Sequence, residues 1–156
     1  MSPWPTSSAA SRACFLVCCW RFVALGDTIL RMQRRLNRRV LVIEDDNDIR
    51  RLITESLTNA GLDVVAAIDA GQALRTALAR KPAAVVLDIG LPDYDGTQFV
   101  ARWRERRPDA NDVPILVVSA RADRREIASL LGAAYVCGKP FQVDELVGEV
   151  ERAVLN

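Results

Sequence analysis

The sequence predicts an α/β protein: a doubly wound, five-stranded parallel sheet in the order 2-1-3-4-5, with five helices. Three observations lead there. Short, near-continuously apolar runs recur at Val40–Ile43, Leu62–Ala67, Ala83–Leu87, Val113–Val118 and Ala134–Cys137. Each is followed by a segment whose apolar residues recur at helical spacing. Glycines, prolines and Lys-Pro pairs punctuate the junctions. Strands that are apolar throughout are buried on both faces, as in parallel sheets covered by helices. Repeated strand–helix alternation then demands right-handed crossovers and helices on both sides.

The first strand, Val40–Ile43, is a β-branched run ending in Glu44, Asp45 and Asp46. Asn47 is placed to cap the next helix, which carries Ile49, Leu52, Ile53, Leu57 and Ala60 inward and stops at Gly61. After the second strand, Ala70–Arg80 is an Ala-rich helix with Ala73, Leu74, Ala77 and Leu78 on one face, closed by Lys81-Pro82. The third strand runs into Asp88, and Gly90, Pro92 and Gly96 prevent any regular element from continuing. Asp93 and Asp95 read as turn formers there. Thr97 can cap a third helix with Phe99, Val100 and Trp103 inward and Arg102, Arg104, Arg106 and Arg107 as a solvated face. Pro108–Asp112 is expected as loop. The fourth strand ends at Ser119, and Asp123–Leu131 forms a helix ended by Gly132. The fifth strand leads to Lys139-Pro140-Phe141 and a last helix striped by Val143, Leu146, Val147, Val150 and Val154.

Bulk properties narrow the function. Length suggests one domain over residues 38–156, preceded by an N-terminal extension over 1–37. That extension is read as disordered in part, or as an over-extended start before Met32, because its Pro/Ser/Ala composition changes where the periodic pattern begins. Its apolar stretch, Ala13–Gly26, is too short to span a bilayer. Residues 1–38 carry six Arg and one Asp, net +5, whereas residues 39–156 carry 15 basic and 19 acidic side chains, net −4. A mildly acidic domain is not expected to bind nucleic acid directly. Histidine is absent, which removes His-dependent triads and the common zinc sites. Of four cysteines, Cys14, Cys18 and Cys19 crowd the extension and Cys137 stands alone as a small buried hydrophobe. Free thiols without a disulfide framework fit a reducing, cytoplasmic setting.

In the order 2-1-3-4-5, known as the flavodoxin-like arrangement, strand order reverses between the first and third strands, and ligands bind at that crevice. Those strands end in Glu44-Asp45 and in Asp88. The fourth strand adds Ser119 and the fifth adds Lys139. Three carboxylates meeting at one crevice are costly without a cation, and hard ions such as Mg²⁺ take such oxygens. An ionised Asp88 could attack phosphorus, with Lys139 and the Ser119 hydroxyl on the phosphoryl oxygens. Aspartyl-phosphate formation is a known form of covalent catalysis.

The stretches VLVIEDDNDIRRLI, VVLDIGLPDYDG, ILVVSA and GKPF resemble, in order, the motifs of the bacterial response-regulator receiver domain of two-component signalling. The similarity covers Arg39 to Asn156. It implies that Asp88 is the phospho-acceptor, that Ser119 and Lys139 assist it, and that Mg²⁺ is held by Glu44, Asp45, Asp88 and the Gly90 carbonyl. Ala120 would be the small residue after the hydroxyl, and Pro140 a cis-proline. It further implies a histidine kinase or histidine phosphotransfer protein as donor, and a downstream protein effector. The chain ends within or just past the last helix. Output is therefore expected through protein contact, as a stand-alone, non-enzymatic monomer or phosphorylation-dependent homodimer without a DNA-binding domain.

Two positions depart from the family's pattern. An aromatic residue often stands three places before the lysine; here that place is Val136, and Tyr135 falls on the opposite strand face. Gly138 before the lysine adds backbone freedom. Two other functions remain open. A phosphatase of the haloacid-dehalogenase type would use Asp46 in Asp46-Asn47-Asp48 as nucleophile, and Asp46 is otherwise a solvated loop acid. A non-phosphorylated interaction module would keep the fold alone.

Overall fold

A computed structural model of the chain describes residues 38–91 and 96–155. The extension over 1–37 and the turn expected at Pro92, Asp93 and Asp95 lie outside the described residues. Five parallel strands form one sheet: β1 Arg39–Ile43, β2 Asp63–Ala67, β3 Ala84–Leu87, β4 Ile115–Ser119 and β5 Tyr135–Gly138. Their order is β2-β1-β3-β4-β5, as the strand-and-helix alternation predicts. Five α-helices connect or follow them: α1 Asn47–Asn59, α2 Ala70–Ala79, α3 Gly96–Arg106, α4 Arg124–Leu131 and α5 Val143–Leu155.

Because successive strand residues point to opposite faces, the central strands feed two cores. Leu41, Ile43, Val85, Leu87, Ile115 and Val117 pack toward α2, α3 and α4, meeting Ala73, Ala77, Phe99, Trp103 and Leu131. Val40, Val42, Val86, Leu116 and Val118 face α1 and α5, meeting Ile53, Leu57, Leu146 and Val150. Alanines at α2 let that helix lie close to the sheet, while the Phe99–Trp103 pair stacks with ring centroids 5.6 Å apart. Val136 joins the first core and Tyr135 the second, the opposite placement expected for neighbours on a strand. Leu52, at 47% exposure, and Ala60 fall outside the α1 contact stripe, which runs Ile49–Ile53–Leu57 at four-residue spacing.

Several boundaries differ from expectation for identifiable reasons. Asp46, not Asn47, caps α1: its carboxylate accepts the Asp48 and Ile49 N–H groups at 2.9 and 3.0 Å. At the other end Ala60 is the cap, and Gly61 follows in the left-handed region at φ 85°. The third helix begins at Gly96, so Thr97 lies inside it. Pro108–Asp112 is a 3₁₀ turn rather than a loop. The Val113 N–H closes that turn on Ala110, and Pro114 has no N–H to give, so β4 starts later and runs through Ser119. Asp123 makes no side-chain cap on α4, because its carboxylate holds the Arg121 guanidinium at 2.8 and 2.9 Å. The arginines of 102–107 are not one solvated face. Arg104 donates to the Leu131 carbonyl at 2.9 Å, tying α3 to α4, and Arg107 reaches Leu78 and Asp109.

Candidate functional site

The ladder that builds the sheet also positions the site. The Glu44 N–H donates to Ala67 across β1 and β2, the Asp88 N–H to Ile43, and the Lys139 N–H to Ser119, at 3.2, 2.9 and 3.2 Å. Glu44, Asp88 and Lys139 therefore each sit one step past a paired strand, Ser119 sits at the last step of one, and Asp45 follows Glu44. Glu44, Asp88 and Ser119 are the buried polar side chains among the described residues, 2%, 6% and 1% exposed. Asp45 is exposed at the mouth.

Lys139 closes the arrangement. Its ammonium lies 2.6 Å from Asp88 Oδ2 and 2.7 Å from the Glu44 carboxylate. The Lys139–Pro140 peptide is cis, as the resemblance implies. The other Asp88 oxygen, Oδ1, accepts the Gly90 N–H at 2.7 Å. Burial pushes the Glu44 carboxyl above the ordinary range even though Lys139 pulls it down. Burial opposes the lysine's charge too, but hydrogen bonds to Asp88 and Glu44 outweigh it and hold the ammonium above its usual value. The two directions are compatible, because one lysine is shared between two buried acids. With Asp45 alongside, the cluster carries more negative than positive charge.

Glu44, Asp45 and Asp88 each offer an oxygen, all within 4.8 Å of one another. Opposite ligands of an ion held at ~2 Å are separated by about 4 Å, so small adjustments suffice to share one hard cation. The donor set therefore fits Mg²⁺. Asp46 lies outside this group, its carboxylate spent on the helix N-terminus.

Spacing alone does not single out Arg50. One turn into α1, its Nη1 donates to the carbonyls of Glu44 and Asp45 at 2.8 and 3.0 Å, and its Nη2 to Asn47 Oδ1 at 2.6 Å. The guanidinium thus pins the backbone that presents both acids. In the sequence its role is marked by nothing beyond its place three residues after Asn47. Gly96, read from sequence only as a turn residue, has a steric role as well: a Cβ there would lie 2.9 Å from the Asp88 carbonyl oxygen and 3.0 Å from Ile89 Cα. Only a glycine lets α3 start against the backbone of Asp88.

A family model for the response regulator receiver domain matches residues 40–151. The chain belongs to that family and is a receiver domain of two-component response regulators. It is 40% identical over 115 residues to the transcriptional regulatory protein PrrA of Mycobacterium tuberculosis, covering 72% of this chain and 48% of PrrA. To the KDP operon transcriptional regulatory protein KdpE of Escherichia coli it is 37% identical over 117 residues, 74% of this chain and 50% of KdpE. The chain thus spans about half the length of these curated relatives. Among solved structures, the receiver domain of NtrX from Brucella abortus superposes with a TM-score of 0.67 at 30% identity, covering 75% of this chain and 98% of that one. The chemotaxis protein CheY4 of Vibrio cholerae gives 0.67 at 26% identity, covering 74% and 97%. No helix among the described residues is long and apolar enough to cross a membrane.

Proposed function

We propose that this chain accepts a phosphoryl group on Asp88 from a histidine kinase or a histidine phosphotransfer protein, and passes the signal on through protein contact. The observation that carries the reading is the Lys139 ammonium seated on both Asp88 and Glu44. It supplies a fixed positive charge where transferred phosphoryl oxygens would lie. In the transfer, an Asp88 oxygen forms a bond to phosphorus while the phosphorus–nitrogen bond to the donor imidazole breaks, and the electron pair returns to the ring. Lys139 neutralises oxygen charge, the Ser119 hydroxyl donates to another oxygen, and the Gly90 N–H orients the carboxylate. Glu44, Asp45, Asp88 and the Gly90 carbonyl would hold Mg²⁺. When bound, the ion offsets charge on the phosphoryl oxygens and on the crowded carboxylates.

As an acceptor, the domain is altered once per event and is not a turnover enzyme. A cytoplasmic setting follows from the donor it requires. The relatives named as transcriptional regulators support signalling that ends in gene control. A phosphatase working through Asp46 is disfavoured, since that carboxylate caps α1 instead of facing the acids. The test is incubation with Mg²⁺ and a small phosphodonor such as phosphoramidate. A base-labile acyl phosphate, lost in Asp88→Asn and retained in Asp46→Asn, is expected. Label that survives Asp88→Asn, or none at all, refutes the proposal.

A further inference from the structure

Gly138 is explained by neither core nor acid cluster. Its φ is not positive, unlike those of Gly61 and Gly132, so the backbone freedom expected of it is not used. What the missing side chain gives here is space. A Cβ on Gly138 would lie 2.7 Å from Nη2, 2.8 Å from Cζ and 2.9 Å from Nε of Arg124, so the guanidinium rests directly against this residue. Gly138 is also the register partner of Ser119.

From that seat Arg124, half-buried at the start of α4, reaches back over the preceding turn. Its Nη1 donates to the Arg121 carbonyl at 2.8 Å, and the Arg121 N–H in turn approaches Ser119 Oγ at 3.4 Å. A Cβ on Gly90 would meet Asp88 Oδ1 at 3.3 Å and Ser119 Oγ at 3.8 Å, so the hydroxyl borders the space beside Asp88. Ser119, Arg121, Arg124 and Gly138 form a closed ring of contacts. An aromatic side chain does not intrude, because Val136 takes the core-facing place and Tyr135 is bonded to Glu145 on the opposite face at 3.0 Å.

We infer that Arg124 is a positioning residue for Ser119: lodged on Gly138, it holds the 120–123 turn so that the Arg121 amide fixes the hydroxyl beside Asp88. The inference rests on the phospho-acceptor reading for its consequence, but not for its geometry. A planar fork that can rest on a glycine and donate sideways is a property of arginine, not lysine. Arg124→Lys therefore behaves as Arg124→Ala does, despite keeping the charge.

The test uses the full chain and two readouts. The first is hydrogen exchange of the Arg121 amide by NMR in the unphosphorylated protein. The second is the rate of labelling by phosphoramidate with Mg²⁺. Arg124→Ala and Gly138→Ala, the latter pushing a flexible side chain off its seat, both speed Arg121 exchange. Both slow labelling about twofold to tenfold, the worth of one lost hydrogen bond. Combined with Ser119→Ala, Arg124→Ala adds no further loss, and Gly138→Ala is neutral in the Arg124→Ala background. Unchanged Arg121 exchange, or losses that add to that of Ser119→Ala, overturns the inference. Absence of label in the wild type defeats the phospho-acceptor reading instead, and the exchange measurement then decides on Arg124 alone.

Discussion

Lys139 and Asp88, 51 residues apart in the chain, meet at 2.6 Å beyond the ends of β5 and β3, across the intervening β4. Glu44 shares the same ammonium. Removing the lysine leaves two buried carboxylates facing each other and an exposed third nearby. Lys139→Ala is expected to destabilise the fold by on the order of 3 kcal/mol in a chelator, the usual result of orphaning a buried charge. Part of that loss returns when Mg²⁺ is added. Urea unfolding with and without the ion checks both halves; equal stability to wild type in chelator would show that the pair is not coupled.

Asp45 offers the complementary experiment. It is exposed, so Asp45→Ala should leave stability in chelator close to wild type. Wild type should gain stability as Mg²⁺ rises, following the mass-action form for a ligand that binds only the native state. The variant should lose that gain. Thermal melts across a magnesium series read the difference, and an undiminished shift in Asp45→Ala contradicts the assigned ligand set.

Gly96→Ala forces a methyl to within 2.9 Å of the Asp88 carbonyl oxygen and 3.0 Å of Ile89 Cα. Backbone atoms cannot step aside as a side chain can, so overpacking should cost about 1–3 kcal/mol. The start of α3 should move away from Asp88, and labelling should slow with it. Denaturant midpoint and labelling rate together test this; a variant normal in both would mean the contact relaxes freely.

A pH dependence follows from Cys137. Burial pushes its thiol above the ordinary range, against smaller opposing pulls from Tyr135, Arg124 and Lys139. A group raised in the folded state supports folding fully below its unfolded pKa, and that support is lost as pH rises through the folded value. Wild type should therefore lose stability relative to Cys137→Ala once pH climbs above about 8.5, the ordinary thiol value. Parallel stability curves for the two proteins from pH 7 to 10 would refute it.

Much of this was legible before any coordinates. The strands of a parallel sheet, buried on both faces, appear as apolar runs, and an acid directly after such a run must lie at the sheet's carboxyl edge. The places of Glu44, Asp45 and Asp88 at that edge are readable on that basis, and those of Ser119 and Lys139 from the ends of the fourth and fifth runs. The roles of Asp46, Arg50 and Arg104 are not. A carboxylate before a helix can cap it or face a crevice, and an arginine's fork reaches whichever carbonyl the fold brings near. For Arg104 that carbonyl belongs to Leu131, 27 residues on. The limits of β4 likewise depended on whether Val113 gives its N–H to a local turn or to the sheet.

Local patterning by itself determined the alternation of elements, the strand order's family of solutions and the edge at which acids gather, because burial on two faces writes a period into the chain. Tertiary structure decided which oxygen each lysine and arginine holds, and what stands against Gly96 and Gly138: backbone at the first, the Arg124 guanidinium at the second. Those outcomes depend on contacts of a few ångströms between segments far apart in sequence, and no local pattern encodes such distances.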